Sequence, residues 1–445
     1  MKYVIVLGDG MGDEPLAELG GMTPLEAAVT PMLDELSPKS RLGMVRTIPQ
    51  GMSPGSDIAN LAVLGFDPRR CYTGRSPLEA ISIGIDIAAD DVALRLNLVT
   101  LSAPTGVSSD GDTDFGDLVI SDHSAGDITT EEAYILLEAL KSGLANDDKS
   151  MEEGGDSYLD ADFDFSIHTG TGYRHCLLWK KGAVLPLTPP HDVLGQTIIS
   201  HLPTDPRFLS LMKKSYRILQ NHPLNQARRE VGKNPGNCIW FWGAGTKPRL
   251  TDFYTKTGQK GIVVSAVDLL KGIGLAAGMN VPTVPGANAT INTNYAGKVN
   301  TVLRALLNED CDFAFIHIEA PDEAGHKGDL AEKIRAIEYV DQKVVAPLYQ
   351  RLQESGLHFR LLVMTDHMTP IRVRTHTSEP VPFLLYDSED AIAEAALNDN
   401  SATPPRFCEK DCLAGGDYIE EGHLLIEELL KKNGPPMMND FQQKE

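Results

Sequence analysis

The residue pattern predicts an α/β fold with a mainly parallel sheet, interrupted by a second, smaller α/β domain. Two observations carry this. First, short β-branched runs stop abruptly at turn residues and are followed by helical patterns. Tyr3–Leu7 ends at Gly8-Asp9, Phe313–Ile318 ends before Glu319-Ala-Pro-Asp322, and Phe359–Met364 ends at Thr365-Asp366-His367. Val381–Tyr386 is a fourth run, and Leu330–Leu352 and Ile419–Lys432 are helix candidates. Buried strands alternating with helices imply a parallel sheet covered on both faces. Second, this rhythm ceases between about residues 91 and 240. Gly- and Pro-rich connections replace it there, so 91–240 is expected as an inserted domain and 1–90 plus 241–445 as the core. The core would resume near Trp242-Gly-Ala-Gly245. A length of 445 residues suits two or three domains.

Composition narrows the function classes. With 42% hydrophobic and 23% charged residues the chain has ample material for a core. A net charge of −22 with no basic stripe excludes a general nucleic-acid partner. Eight acids fall between Asp147 and Asp164 against Lys149 alone, a solvated loop without EF-hand spacing. Six scattered cysteines form no framework, and the apolar run in MKYVIVLGDG is too short for a signal core or a membrane span. A cytoplasmic protein without a membrane partner is the expectation; the oligomeric state is left open.

The reactive residues lie where strands end. Asp9, Asp322, Asp366 and His367 each follow a predicted strand, so four strand ends would carry metal-type ligands. Ligands of open α/β sheets bind outside the carboxyl ends of the strands. Asp322-x-x-x-His326 would share one face of a helical turn, or converge from a loop. His376 precedes another strand. Taken singly each histidine has an ordinary structural explanation; as a set, Asp and His ligands suit Mn²⁺, Mg²⁺ or Zn²⁺. Ser56, after Pro54-Gly55, sits at a helix start, where a serine ordinarily caps the helix. A serine hydroxyl needs a base or a metal to become a nucleophile, and there is no GxSxG elbow. Gly8–Asp13 lacks the dinucleotide order and no Walker A sequence is present. Together these residues point to a two-metal phosphoryl-transfer site.

The motifs GDGMGD, PGSDIANLAVLGFDP, HIEAPDEAGHKGD, TDHMTP and THTSEPVPF, in this order, resemble the alkaline-phosphatase superfamily. More closely they resemble the archaeal-type, 2,3-bisphosphoglycerate-independent phosphoglycerate mutases. SDHSAGDITTEEA, HTGTGYRHCLLW, TPPHD and VSAVDLLKGIGLAAGM fit as well, and the resemblance runs from residue 1 to about 430.

This resemblance implies an alkaline-phosphatase-like core with an inserted substrate-binding lid. The implied reaction interconverts 3-phosphoglycerate and 2-phosphoglycerate, a step of glycolysis and gluconeogenesis, without 2,3-bisphosphoglycerate. Ser56 would become phosphoserine. Asp9, Ser56, Asp366 and His367 would hold one divalent cation, and Asp322, His326 and His376 the other. His123, Arg174, His175 and Lys271 would supply cationic contacts to the small phosphorylated hydroxy acid. One position departs: Trp242 stands where the mutases show an arginine before Gly-Ala-Gly. Bacterial relatives with this Trp-rich stretch are also proposed homoserine kinases. Phosphoryl transfer to another small hydroxy acid, or plain phosphomonoester hydrolysis, is therefore the alternative.

Overall fold

Strand formation follows the apolar runs closely. The computed structural model describes residues 1–104, 113–150, 163–389 and 404–431, so most of the acidic run between Asp147 and Asp164 lies outside the described residues. Among the described residues there are twelve strands: β1 (Lys2–Gly8), β2 (Ser40–Val45), β3 (Val92–Ser102), β4 (Val119–Asp122), β5 (Phe165–His168), β6 (Arg174–Trp179), β7 (Cys238–Thr246), β8 (Gly261–Val264), β9 (Phe313–Ile318), β10 (Phe359–Met364), β11 (Val381–Asp387) and β12 (Asp417–Ile419).

Seven of them form one sheet in the order β12-β2-β11-β10-β1-β9-β8. The pairs β10-β1, β1-β9, β9-β8 and β12-β2 are parallel; β11 runs antiparallel to both neighbours. Every residue of β9 and all but the first of β1 are buried, as a sheet covered by helices on both faces requires. Val4, Val6, Ile316 and Val363 pack with Leu33, Val302 and Ile337 from the covering helices. The α/β core with a mainly parallel sheet is thus as expected. The long helix expected over 330–352 is Leu330–Val340 and Ala346–Glu354 joined by a π turn, Asp341–Val345. The closing helix is shorter than expected, Leu425–Leu430, because Asp417–Ile419 is taken up as strand β12 beside β2.

The chain divides into two compact units: Met1–Tyr72 with the residues from Arg249 onward, and Thr73–Pro248. The boundaries expected at 91 and 240 therefore move outward. The helix Arg75–Ser82 belongs to the second unit because Ser76 ties it to that unit's sheet, its hydroxyl accepting from Arg95 N (2.9 Å) and donating to Gly243 O. Trp242-Gly-Ala-Gly245 is the second unit's β7 rather than the resumed core, since β7 pairs along β3 from Cys238 to Thr246. All pairings in this five-stranded sheet are antiparallel, with β6 and β4 along one edge of β3 and β7 along the other.

In the first unit a buried cation joins the loops that leave β1 and β10. Lys333 Nζ, fully buried, donates to Gly12 O (3.0 Å), Asp13 Oδ2 (2.7 Å) and Thr369 O (2.8 Å). Removing one partner of a buried ion pair leaves an uncompensated charge. Lys333→Met is therefore expected to lower the unfolding free energy by about 3–5 kcal/mol in urea titrations; an unchanged midpoint and slope would contradict this role.

Candidate active site

Three neighbouring parallel strands, β10, β1 and β9, deliver their carboxyl ends side by side. Asp9 follows β1 directly, and Asp366 and His367 follow β10 after Thr365. After β9 the helix Ala320–Lys327 begins, placing Asp322 in its first turn and His326 one turn on. Three strand ends, not four, thus supply the expected ligand types, because Asp366 and His367 share one. His376 reaches the same place from the loop before β11, folded back by a bridge between Met368 and Thr377. The turn after β1 needs Gly10: its φ is +61°, and a Cβ there would lie 2.7 Å from Asp322 Oδ1.

Among the described residues three sets of donor atoms lie within 4.8 Å of one another: Asp9, Asp366, His367; Asp322, His367, His376; and Asp9, Glu319, Asp322. Asp9, Asp322, Asp366 and His367 are buried. Burial, and then the charges of Asp366 and Asp322, raise the Asp9 carboxyl well above the usual range. Its Oδ1 is buried with no hydrogen-bond partner among the described residues. Burial pushes Asp322 up too, but hydrogen bonds from His326 and His376 outweigh it and hold that carboxyl well below the usual range. The same Asp322 carboxylate pulls His326 up to about 9.

Hydrogen bonding fixes which imidazole nitrogens carry lone pairs. His326 Nδ1 lies 3.0 Å from Arg374 O, a pure acceptor, so Nδ1 bears the proton. In the neutral ring Nε2 is then unprotonated; it lies 3.0 Å from His376 Nε2 and 3.3 Å from Asp322 Oδ2. The Thr369 hydroxyl donates to Asp322 Oδ1 and so accepts from His367 Nδ1 (3.3 Å). Burial lowers the His367 pKa, keeping the ring neutral with its Nε2 lone pair toward Asp9 Oδ1 (3.5 Å), Asp366 Oδ2 (3.4 Å) and Ser56 Oγ (3.0 Å).

Ser56 opens the helix Ser56–Val63, but Gly55 occupies the capping position and no side chain caps the helix. The hydroxyl that would ordinarily cap faces His367 instead. Asn60, one turn on and fully buried, donates to Ser56 O (2.9 Å) and to Asp366 Oδ2 (2.8 Å). Fully buried His317, held neutral by burial with a pKa of about 3, sets its Nε2 at 2.9 Å from Asp9 Oδ2.

Residues 38–225 match the family model of 2,3-bisphosphoglycerate-independent phosphoglycerate mutase. A probable 2,3-bisphosphoglycerate-independent phosphoglycerate mutase of Geobacter sulfurreducens is 44% identical over 436 residues, 97% of this chain and 100% of the relative. The chain belongs to this family, which is one of isomerases. A further 2,3-bisphosphoglycerate-independent phosphoglycerate mutase, from Methanothrix thermoacetophila, is 43% identical over 90% of this chain and 95% of its own. The fold is shared with a protein of Pyrococcus horikoshii (TM-score 0.73, 26% identity, 98% of this chain and 99% of that one). It is shared too with a cofactor-independent phosphoglycerate mutase of Thermoplasma acidophilum (TM-score 0.60, 25% identity, 97% and 99%).

Of the four expected cationic contacts, Lys271 lies in the same unit as the strand-end cluster, on the helix Asp268–Ala276, paired with Asp268 at 3.1 Å. The other three belong to the second unit. His175 is not a cation. It is buried, its Nδ1 accepts from Gly170 N (3.1 Å), and burial lowers its pKa to about 3. Exposed Arg174 lies over the Tyr173 ring, which also meets His123 edge-on at 5.8 Å. Sequence reasoning missed Arg95 here. It faces Trp242 across the sheet with Cζ 4.1 Å from the ring centroid, and burial lowers its pKa to about 10. Glu79 serves both Arg95 (2.7 Å) and Arg75 (2.9 Å).

Asn60 was also missed, although its spacing four residues after Ser56 was visible. Asn60→Ala withdraws the amide from buried Asp366 and is expected to cost about 1–3 kcal/mol, read as a lowered thermal midpoint; a midpoint equal to that of the parent would exclude the role.

Proposed function

We propose that this chain interconverts 3-phosphoglycerate and 2-phosphoglycerate, with Ser56 as the group that carries the phosphoryl. The observation that carries this reading is the Ser56 hydroxyl, freed from helix capping and set 3.0 Å from His367 Nε2 beside three buried carboxylates. Membership of the mutase family supports the same reaction. In the first half-reaction the Ser56 Oγ–P bond forms as the P–O3 bond of 3-phosphoglycerate breaks. In the second, the glycerate 2-hydroxyl oxygen takes the phosphoryl from Ser56, restoring the serine hydroxyl.

The residues fit two divalent cations. Asp9 Oδ1 is buried without a hydrogen-bond partner among the described residues, and the acids and imidazole nitrogens that converge here are donor types for hard and borderline cations. Asp9, Ser56, Asp366 and His367 would hold one, and Asp322, His326 and His376 the other. Bound cations would supply charge stabilisation for the serine oxygen and the phosphoryl oxygens. The chain's own contribution is positioning: Asn60 aligns Ser56 with Asp366, Thr369 fixes the His367 tautomer, and the Arg374 carbonyl fixes that of His326. For the second unit, the proposed role is substrate binding as a lid, with His123 and Arg174, and Lys271 in the first unit, as cationic contacts.

Trp242 favours the alternative of another small hydroxy-acid acceptor such as homoserine, since it removes a guanidinium from β7. The stacked Arg95 returns one from the adjacent strand, which supports the phosphoglycerate reading.

The cation-loaded chain with 3-phosphoglycerate, coupled to enolase, is expected to form 2-phosphoglycerate. Ser56→Ala should reduce this at least about 10³-fold while retaining cation content. Free phosphate as the sole product, or ATP-dependent phosphorylation of homoserine without mutase turnover, would overturn the reading. Proton competition gives a second expectation. Below about pH 9, cation-free His326 holds a proton that must leave before its Nε2 can bind a cation. Apparent Mn²⁺ affinity should therefore fall as pH is lowered from 8 to 6 in equilibrium dialysis; an affinity independent of pH would exclude His326 as a ligand.

A further inference from the structure

In the sheet of the second unit, Arg95 on β3 lies opposite Trp242 on β7, with Cζ 4.1 Å from the ring centroid. Its side chain is only 11% exposed, and Glu79 pairs with Nε at 2.7 Å. That pairing supports the charge in its burial. It leaves Nη1 and Nη2, which make no hydrogen bond with any described residue. Donors on a mostly buried guanidinium cost stability unless an acceptor reaches them.

The same unit gathers anion-binding groups around these donors. His191, on the short helix Pro190–Val193, meets the indole edge-on at 5.1 Å and lies 6.2 Å from the His123 ring. Burial lowers the Arg95 pKa to about 10; Glu79 opposes that shift, and the charges of Arg75 and Arg174 add to it, so both stand near Arg95. The indole is itself held: Nε1 donates to Asn97 Oδ1 (3.1 Å), and Asn97 Nδ2 donates to His123 O (3.2 Å). Two acids stand beside the group, Glu79, shared by Arg95 and Arg75, and exposed Asp192, 3.7 Å from His191 Nε2.

Paired Nη donors of one guanidinium fit the two oxygens of a carboxylate. We propose that Arg95, stacked on Trp242 and flanked by His191, holds the substrate carboxylate and selects a 2-hydroxy acid over a 2-amino acid. This rests on the phosphoglycerate reading. The selection is electrostatic: a 2-ammonium group beside the carboxylate meets the charges of Arg95 and Arg174. A 2-hydroxyl is neutral and can donate to an imidazole or accept from one. Trp242 contributes geometry, its face holding the plane of the guanidinium.

Isothermal titration calorimetry on the full, cation-loaded chain tests this, with Ser56→Ala as background to prevent turnover. The ligands are 3-phosphoglycerate and O-phospho-D-serine, which differ in bearing a hydroxyl or an ammonium at carbon 2. The first should bind at least about tenfold tighter. Arg95→Lys keeps the charge but not the fork, and should weaken 3-phosphoglycerate at least about tenfold. His191→Phe keeps a ring beside Trp242 but not its nitrogens, and should weaken it about threefold or more. Neither change should alter affinity for inorganic phosphate, which has no carboxylate; a purely structural role would not spare it. Equal affinity for the two esters would overturn the proposal, as would unchanged 3-phosphoglycerate binding in both variants or a matching loss for inorganic phosphate. Equal affinities alongside mutase turnover by the chain with Ser56 would overturn this assignment alone. Discrimination between the esters without such turnover would overturn the mutase reading alone.

Discussion

Three carboxylates, Asp9, Asp322 and Asp366, are buried together at the ends of adjacent parallel strands, and much of the first unit is arranged around that concentration of negative charge. Among the described residues no lysine or arginine forms an ion pair with any of them; their partners are imidazoles, hydroxyls, an amide and backbone N–H groups. These partners lessen the repulsion without cancelling it; burial first, and then the charges of Asp366 and Asp322, raise the Asp9 carboxyl. Such a cluster is costly for a fold to bury unless positive charge arrives from outside. That is the physical reason for proposing divalent cations here.

The supporting residues show how the chain keeps these groups in place. Lys333 fastens the loops after β1 and β10 from beneath, through Gly12, Asp13 and Thr369. Thr369 then passes order to the site by donating to Asp322 and accepting from His367. On the other side Lys298, fully buried, donates to His317 O (2.9 Å), and His317 meets Asp9. Asp9, Asp322 and His367 are therefore each backed by a partner whose own position is fixed by a buried polar contact. Buried polar networks of this kind specify one geometry, because any alternative leaves a group unsatisfied.

The second unit is built on a different arrangement. An antiparallel sheet carries Arg95 and Trp242 as a cross-strand pair, with Asn97 accepting from Trp242 Nε1 (3.1 Å) and His191 meeting the indole edge-on at 5.1 Å. A guanidinium stacked on an indole and paired with a carboxylate that Arg75 shares stays charged and oriented.

The sequence by itself determined the strands of the first unit and the identity of the ligand-type residues. Short, mostly apolar runs such as Phe313–Ile318, bounded by turn residues, read as buried strands, and the turns after them mark where polar groups emerge. Spacing within one helix was equally legible, as in Asp322 and His326. Only the tertiary structure decided three things. Ser56 turned from cap to free hydroxyl because Gly55 takes the capping position and His367 comes from more than 300 residues away. His175 changed from expected cation to buried neutral ring because desolvation is a property of its surroundings. The unit boundaries moved to 73 and 248 because strand pairing joins residues distant in sequence, as β7 joins β3. Local pattern encodes what a residue can do; which neighbours it meets depends on contacts that close only when the chain is packed.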